Sequence, residues 1–163
     1  MSHVRYPHGP CDGFSLVELL AVLSEMAILA GLLIPALSGV RRWLAVGESQ
    51  ALFQEIETAC RLHRLQSGDW PEGLSSGEVD LNDPDGKWRS TVSRNMETQW
   101  SDGGLTDGFG NLDIYLLVDA DGDHWIFPEE FDALQRSDRP TRLWARIAIY
   151  SLDGAGRLAV SNW

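Results

Sequence analysis

Residues 13–37 read GFSLVELLAVLSEMAILAGLLIPAL: a Gly-Phe pair, an acid almost at once, then an apolar run. The run is about as long as the roughly 20 residues that cross a bilayer as a helix. After Pro35 the pattern becomes periodic. Leu44, Leu52, Ile56, Ala59, Cys60 and His63 recur at helical spacing, with Arg42, Glu48, Glu55, Glu57, Arg61 and Arg64 on the other side, the mark of an amphipathic helix. Gly68 and the Trp70-Pro71 pair end it. Together these patterns predict one long helix from Phe14 to about Gln66, lipid-embedded in its first half and packed on a soluble domain in its second, with Pro35 and Gly39 as kink points.

Residues 67–108 are rich in Gly, Ser, Asp and Asn and predict a variable, largely irregular connection, with a short strand or helix near residues 88–96. Within it, Asn82-Asp83-Pro84-Asp85-Gly86 predicts a turn in which Pro fixes φ and Gly supplies a positive φ. Strands follow at residues 112–118, 125–127, 145–151 and 157–160, with Asp153-Gly154 as a hairpin turn before the last. Between them, residues 129–144 alternate Glu and Asp with Arg136, Arg139 and Arg142 and predict a polar, exposed segment. The fold class is α+β, a long N-terminal helix packed on a small antiparallel sheet that occupies residues 109–163.

At 163 residues the chain has room for one modest soluble domain besides the span. Its formal net charge of -11 excludes nucleic acid as a partner, because phosphate binding needs clustered Lys and Arg. Residues 1–13, MSHVRYPHGPCDG, have no periodicity and read as a leader to be removed; Cys11 leaves with it. Cys60 then has no cysteine to pair with and reads as a small buried apolar residue. His63, alone on the apolar helix face, reads as a packing residue. No Ser/His/Asp order, phosphate-cradling Gly loop or His-rich metal site is present, so the chain does not read as an enzyme.

Two acids lie within the apolar run, Glu18 and Glu25. Each costs about 2.5 to 3.5 kcal/mol near the middle of a membrane helix, so each calls for a partner. The order Gly13-Phe14-Ser15-Leu16-Val17-Glu18-Leu19-Leu20, followed by an apolar helix with Pro35 near its far end, resembles the start of type IV pilins and of type II secretion pseudopilins. The resemblance implies that a prepilin peptidase cuts between Gly13 and Phe14, and that the new amino group of Phe14 is N-methylated. It also implies that Glu18 neutralises the N-terminal ammonium of a neighbouring subunit during filament assembly. Glu25 stands where these helices usually carry an aliphatic residue. Arg41 and Arg42 follow the span while only Arg5 precedes it, which by charge alone would place the N-terminus outside; the resemblance implies a cytoplasmic N-terminus instead.

The C-terminal half resembles the same family more loosely. Asp107-Gly108-Phe109-Gly110-Asn111 and the later Tyr150-Ser151-Leu152-Asp153-Gly154 are similar to two signatures of major pseudopilins, with Gly108 where a Pro usually stands. Ser67-Gly68-Asp69-Trp70-Pro71 is similar to their aromatic-Pro step. Residues 119–130 carry Asp119, Asp121 and Asp123 at alternate positions, an apolar residue at the eighth place and Glu130 at the twelfth, the spacing of an EF-hand calcium loop. His124 stands where that loop has Gly, and a strand precedes it. By analogy with the calcium loops of major pseudopilins, the expected cofactor is a structural Ca²⁺ held by Asp119, Asp121, Asp123 and Glu130, against the alternative of an acidic, solvated loop.

The expected protein is a structural subunit of a type II secretion pseudopilus. It would be single-pass in the bacterial inner membrane with a cytoplasmic N-terminus, and periplasmic when assembled. Its partners would be copies of itself, other pseudopilins, the prepilin peptidase and the inner-membrane assembly platform. The alternatives are a type IV pilus subunit, a membrane-tethered calcium-binding module, and an anchored hydrolase using Asp119 and Glu130.

Overall fold

The computed structural model describes residues 15–94, 96 and 104–163. The leader and the Gly13–Phe14 bond lie outside them. Helix α1 spans Leu16–Ser67, close to the predicted limits. The chain divides between Val40 and Arg41 into two units.

The first unit is the amino-terminal part of α1. It is long and apolar enough to cross a membrane, and no residue of its most apolar window is buried. Leu16, Leu20, Leu23, Met26, Ile28, Leu32 and Ile34 are all more than half exposed. A helix that is apolar on every side has no polar face to give to water, so its stable setting is lipid or other apolar helices.

The second unit, Arg41–Trp163, holds the core. Strands β1 (Val79–Asp80), β2 (Ile114–Val118), β5 (Ile147–Leu152) and β6 (Leu158–Ser161) form an antiparallel sheet in the order β1-β2-β5-β6. Strands β3 (Trp125–Ile126) and β4 (Leu143–Trp144) pair separately, Trp125 opposite Trp144. Helix α2, Arg89–Arg94, is the short element expected near residue 88.

The period-2 alternation of strand side chains sorts the core into two layers. Ile114, Leu116, Val118, Ile147 and Ile149 cluster with Phe53, Ile56, Ala59 and Cys60 of α1. Leu117, Ala148, Tyr150 and Leu152 cluster with Ile126, Phe131 and Leu134 on the opposite side. Every residue of β5 is therefore buried, since this inner strand is covered on both faces. Cys60 is free and fully buried, and burial, aided by the nearby Glu57 charge, pushes its thiol up to about 12. It is an inert packing residue, as expected.

Three expectations are corrected. Leu52, Ile56, Ala59 and Cys60 face inward as expected, but Leu44 is half exposed, and Ala45, Ser49 and Phe53 complete the buried face instead. The connection 67–108 also supplies core side chains: Trp70, Leu74, Leu81, Trp88, Val92 and Leu105 are buried in the layer beside α1. Residues 129–144 contribute Phe131 and Leu134 to the core, and Arg139 ties the segment together by donating to the carbonyls of Leu134, Pro128 and Asp132. Gly86 does not supply a positive φ. Its N–H closes the turn onto Asp83 O at 3.3 Å, and glycine is required because the Trp88 indole lies 2.6 Å from where a Cβ would stand.

One buried carboxylate joins the layers. Asp107 Oδ1 accepts the N–H groups of Phe109 and Asn111 at 2.9 and 2.8 Å, and Oδ2 accepts Asn111 Nδ2 at 2.9 Å and Ser151 Oγ at 2.7 Å. The next residue, Gly108, donates its N–H to Ser49 Oγ at 2.9 Å, and Ser49 donates on to Ala45 O at 2.8 Å. A Cβ on Gly108 would lie 2.0 Å from Ala45 O. A proline at this position would also lack the N–H that Ser49 accepts. Gly108→Ala is accordingly expected to cost about 3 kcal/mol in urea unfolding of the detergent-solubilised chain. A loss below about 1 kcal/mol would mean that the turn is free to move off the helix.

Candidate functional site

The acidic loop begins where β2 ends. Asp119 is buried and its main chain is fixed on both sides: its N–H donates to Arg146 O at 3.0 Å, and its carbonyl accepts Trp70 Nε1 at 2.9 Å. The chain then folds back over the Asp119 side chain. Oδ1 accepts Gly122 N–H at 2.7 Å and Oδ2 accepts His124 N–H at 3.1 Å. The same device repeats outward, Asp121 accepting Asp123 N–H at 3.2 Å and Asp123 accepting Trp125 N–H at 2.7 Å. His124, which stands where an EF-hand loop has Gly, adopts a φ of 68°, the left-handed conformation that glycine serves in such loops.

One carboxylate oxygen from each of Asp119, Asp121 and Asp123 lies within 4.8 Å of the others, with Asp121 and Asp123 exposed. An all-oxygen set with no nitrogen or sulfur suits a hard cation such as Ca²⁺ or Mg²⁺, completed by water. Glu130 is not brought into this group. Its Oε1 accepts Phe127 N–H at 2.8 Å and caps the single 3₁₀ turn Pro128–Glu130, so its role is local. The structure thus brings together three of the four expected ligands and not the one at the twelfth position, where the chain forms a 3₁₀ turn and not the helix that carries that ligand in an EF-hand.

Burial opposes ionisation of Asp119, but the Gly122 and His124 amides, with the neighbouring Asp121 and His124 side chains, outweigh it and hold the carboxyl below its ordinary value. A depressed carboxyl stabilises the fold above the unfolded-state pKa, and that stability is lost as pH falls through the folded one. Nearby, Arg146 Nε donates to His124 Nδ1 at 3.1 Å, and His124 Nδ1 lies 3.5 Å from Asp119 Oδ2.

The second site lies at the start of α1. Ser15 N–H donates to Glu18 Oε2 at 3.0 Å, and Val17 N–H donates to Ser15 Oγ at 3.3 Å. Ser15 caps the helix start and Glu18 reaches back to the cap residue, a Ser-x-x-Glu spacing that was open to view in the sequence. Glu18 thus satisfies an otherwise orphaned N–H at the positive end of the helix. Its Oε1 has no partner among the described residues. Gly13 and Phe14 lie outside the described residues, and Glu25 is exposed on the helix.

Compared with known proteins, the chain matches no protein-family model, no curated protein and no solved structure.

Asp119→Asn would aim an amide NH₂ at one of the two backbone N–H groups that now share the carboxylate. In EDTA it is expected to cost about 2 kcal/mol at pH 7. The gap to wild type should narrow as pH falls below the ordinary carboxylate range, because wild type loses the same contribution there. Urea titrations at pH 7 and at acid pH check this; a gap that does not change with pH would refute the assignment.

Proposed function

We propose that this chain is a pseudopilin-like filament subunit of the type II secretion kind. It is cut between Gly13 and Phe14 by a prepilin peptidase, N-methylated on Phe14, and held in the bacterial inner membrane by the first half of α1 with its N-terminus in the cytoplasm. An inner-membrane platform assembles it with copies of itself and other pseudopilins into a periplasmic filament that supports export across the outer membrane. The observation that carries this reading is the register of Gly13, Phe14 and Glu18 before an uninterrupted apolar run. Two further observations support it: among the described residues no side chain of that run is buried, and Glu18 Oε1 has no partner among them. A neighbour's ammonium and the Glu18 carboxylate leave water together, whereas either charge alone would be costly in lipid. The role is structural and uses no catalysis.

Asp119, Asp121 and Asp123 hold a structural Ca²⁺ in this reading. The cation draws together three carboxylates that otherwise repel, and the ordered loop in turn fixes the β2–β3 connection. The preformed nest of Asp side chains supports it. That loop also favours a second reading, a membrane-tethered cation-binding module, which needs no processing at Gly13.

Intact mass and N-terminal sequence of the chain from membranes of cells with and without a prepilin peptidase separate the two. The expected product begins at methylated Phe14 only when the peptidase is present; an uncut chain in both strains favours the tethered module. Glu18→Gln keeps an oxygen for the Ser15 N–H but removes the charge. It is expected to leave the helix and processing intact while abolishing filament assembly, read by cross-linking and electron microscopy. Assembly by this variant at wild-type levels would overturn the charge-pairing role.

Calcium at about 100 times its dissociation constant should stabilise the chain by about 2.7 kcal/mol, read as a raised melting temperature. The increment should vanish in the Asp121→Asn/Asp123→Asn double variant. Equal increments in the two proteins would remove the cation from this loop.

A further inference from the structure

Two clefts of the globular unit, about 350 and 310 Å³, share Arg61 and Arg146 in their walls. His124 and Trp144 also line the first, Arg64 and Trp70 the second. The chain has 24 acids against 13 Lys and Arg, yet no acid among the described residues lines either cleft. Arg61 is paired with Glu57 at 2.6 Å. Arg64 makes no ion pair among the described residues; its guanidinium lies over the Trp70 ring, 4.3 Å from the centroid, an arrangement that uses its face and not its N–H edge. Arg146 donates to the His124 ring, Nε to Nδ1 at 3.1 Å, and to no carboxylate among the described residues. Two guanidinium charges therefore stand without an acid. The negative end of α1 accounts for a basic residue in its last turn, such as Arg64, but not for Arg146, which comes from the link between β4 and β5.

Both walls are fixed on one buried residue. Asp119 N–H donates to Arg146 O at 3.0 Å, and Asp119 O accepts Trp70 Nε1 at 2.9 Å. Arg64, one turn from Arg61 on α1, is held against that same Trp70 ring. The guanidiniums are thus brought together by the fold before any ligand arrives. Holding like charges around one cleft costs free energy that an anion bound among them would recover.

We propose that Arg61, Arg64 and Arg146 bind the phosphate of a small organic phosphomonoester, whose organic part lies against Trp144. Charge selects the phosphate: a phosphomonoester carries about 1.5 to 2 negative charges at neutral pH, which matches two unpaired guanidiniums, whereas a carboxylate carries one. Donor geometry agrees. Guanidinium forks take oxygens two at a time, and a phosphomonoester has three to share between α1 and the β4–β5 link. Trp144 sets the remainder of the ligand. It is 63% exposed, and His124 and Trp125 brace it edge-on with ring centroids 5.4 and 4.7 Å away, so a fixed aromatic surface stands beside Arg61 and Arg146. The site belongs to the globular unit alone and depends neither on membrane insertion nor on filament assembly.

Isothermal titration calorimetry of the full chain in a neutral detergent with EDTA tests this, with phenyl phosphate, inorganic phosphate and benzoate as probes. One phenyl phosphate per chain is expected, bound about fivefold more tightly than inorganic phosphate. Arg64→Gln and Arg146→Gln should each weaken it about tenfold. Arg146 is exposed, and the variant keeps the main-chain bond to Asp119, so its circular dichroism should be unchanged. Arg136→Gln removes the same charge from an exposed position outside both clefts and should bind as wild type does. Absence of saturable binding, or equal losses in Arg136→Gln and Arg146→Gln, overturns the site. Benzoate binding as tightly as phenyl phosphate overturns the selection of a doubly charged group. Equal affinity for phenyl phosphate and inorganic phosphate, or phenyl phosphate binding unaltered by Trp144→Ala, overturns the place given to the organic part.

Discussion

The globular unit depends on one carboxylate placed where burial would be prohibitive without full satisfaction. Asp107 is 4% exposed and accepts four hydrogen bonds, two from the backbone of its own turn, one from Asn111 and one from Ser151 in β5. A buried carboxylate that loses its donors costs several kcal/mol, so the arrangement is close to all-or-none. Because Gly108 continues directly into Ser49 and the Ala45 carbonyl, the same turn sets the distance between α1 and the sheet. The hydrophobic layers supply most of the stabilisation, but they are tolerant of sliding. The polar bridge fixes one register among those the apolar contacts would allow.

That register determines what else can form. With α1 seated on one face of the sheet, Ile147 and Ile149 point toward it, and Ala148, Tyr150 and Leu152 must be covered from the other side. The cover is the segment after β3, pinned by Arg139 to three carbonyls and by Glu78, which accepts Ala133 N–H at 2.6 Å and the Tyr150 hydroxyl. Burial raises the Glu78 carboxyl above its ordinary value. Its ionised form is therefore held at a cost, lowest at acid pH and rising as pH passes upward through its folded-state value. Glu78 works against the fold electrostatically and for it geometrically, whereas Asp119 works for it on both counts.

How far the fold was legible in the sequence follows from the range of each signal. The long helix, β2, β5 and β6 have strong periodicity in their own residues, and each emerged near its expected limits. Strand β1 has two residues at a sheet edge, and its pairing of Val79 with Leu116 spans a long stretch of chain; nothing local announces it. Residues 129–144 are polar in composition, which concealed Phe131 and Leu134 because a core needs only a few side chains from a loop to cover one sheet face. The inward face of α1 was legible from Leu52 to Cys60 but not at its start, since Ala45 and Ser49 are small or polar and count little in a hydrophobic pattern. They are buried because Gly108 brings backbone against backbone there. The Asp119, Asp121 and Asp123 group was legible from spacing alone. Glu130 was not, because its place depends on whether a helix or a 3₁₀ turn follows.

The acids of this chain differ in what their oxygens are already doing, and that difference separates structural groups from available ones. Asp107 is saturated and has nothing to offer a ligand. Glu130 is spent on a local cap. Asp121 and Asp123 each accept one amide and face solvent, and an oxygen of each lies within 4.8 Å of the other and of Asp119, so their remaining lone pairs are open to water or to a cation. Glu18 also accepts one amide, but it belongs to a span in which residues 16–40 include no Lys, Arg or His. A cation that balanced its charge would therefore come from outside that span, and it could do so without disturbing the bond that Glu18 accepts from the Ser15 N–H, which occupies only one carboxylate oxygen.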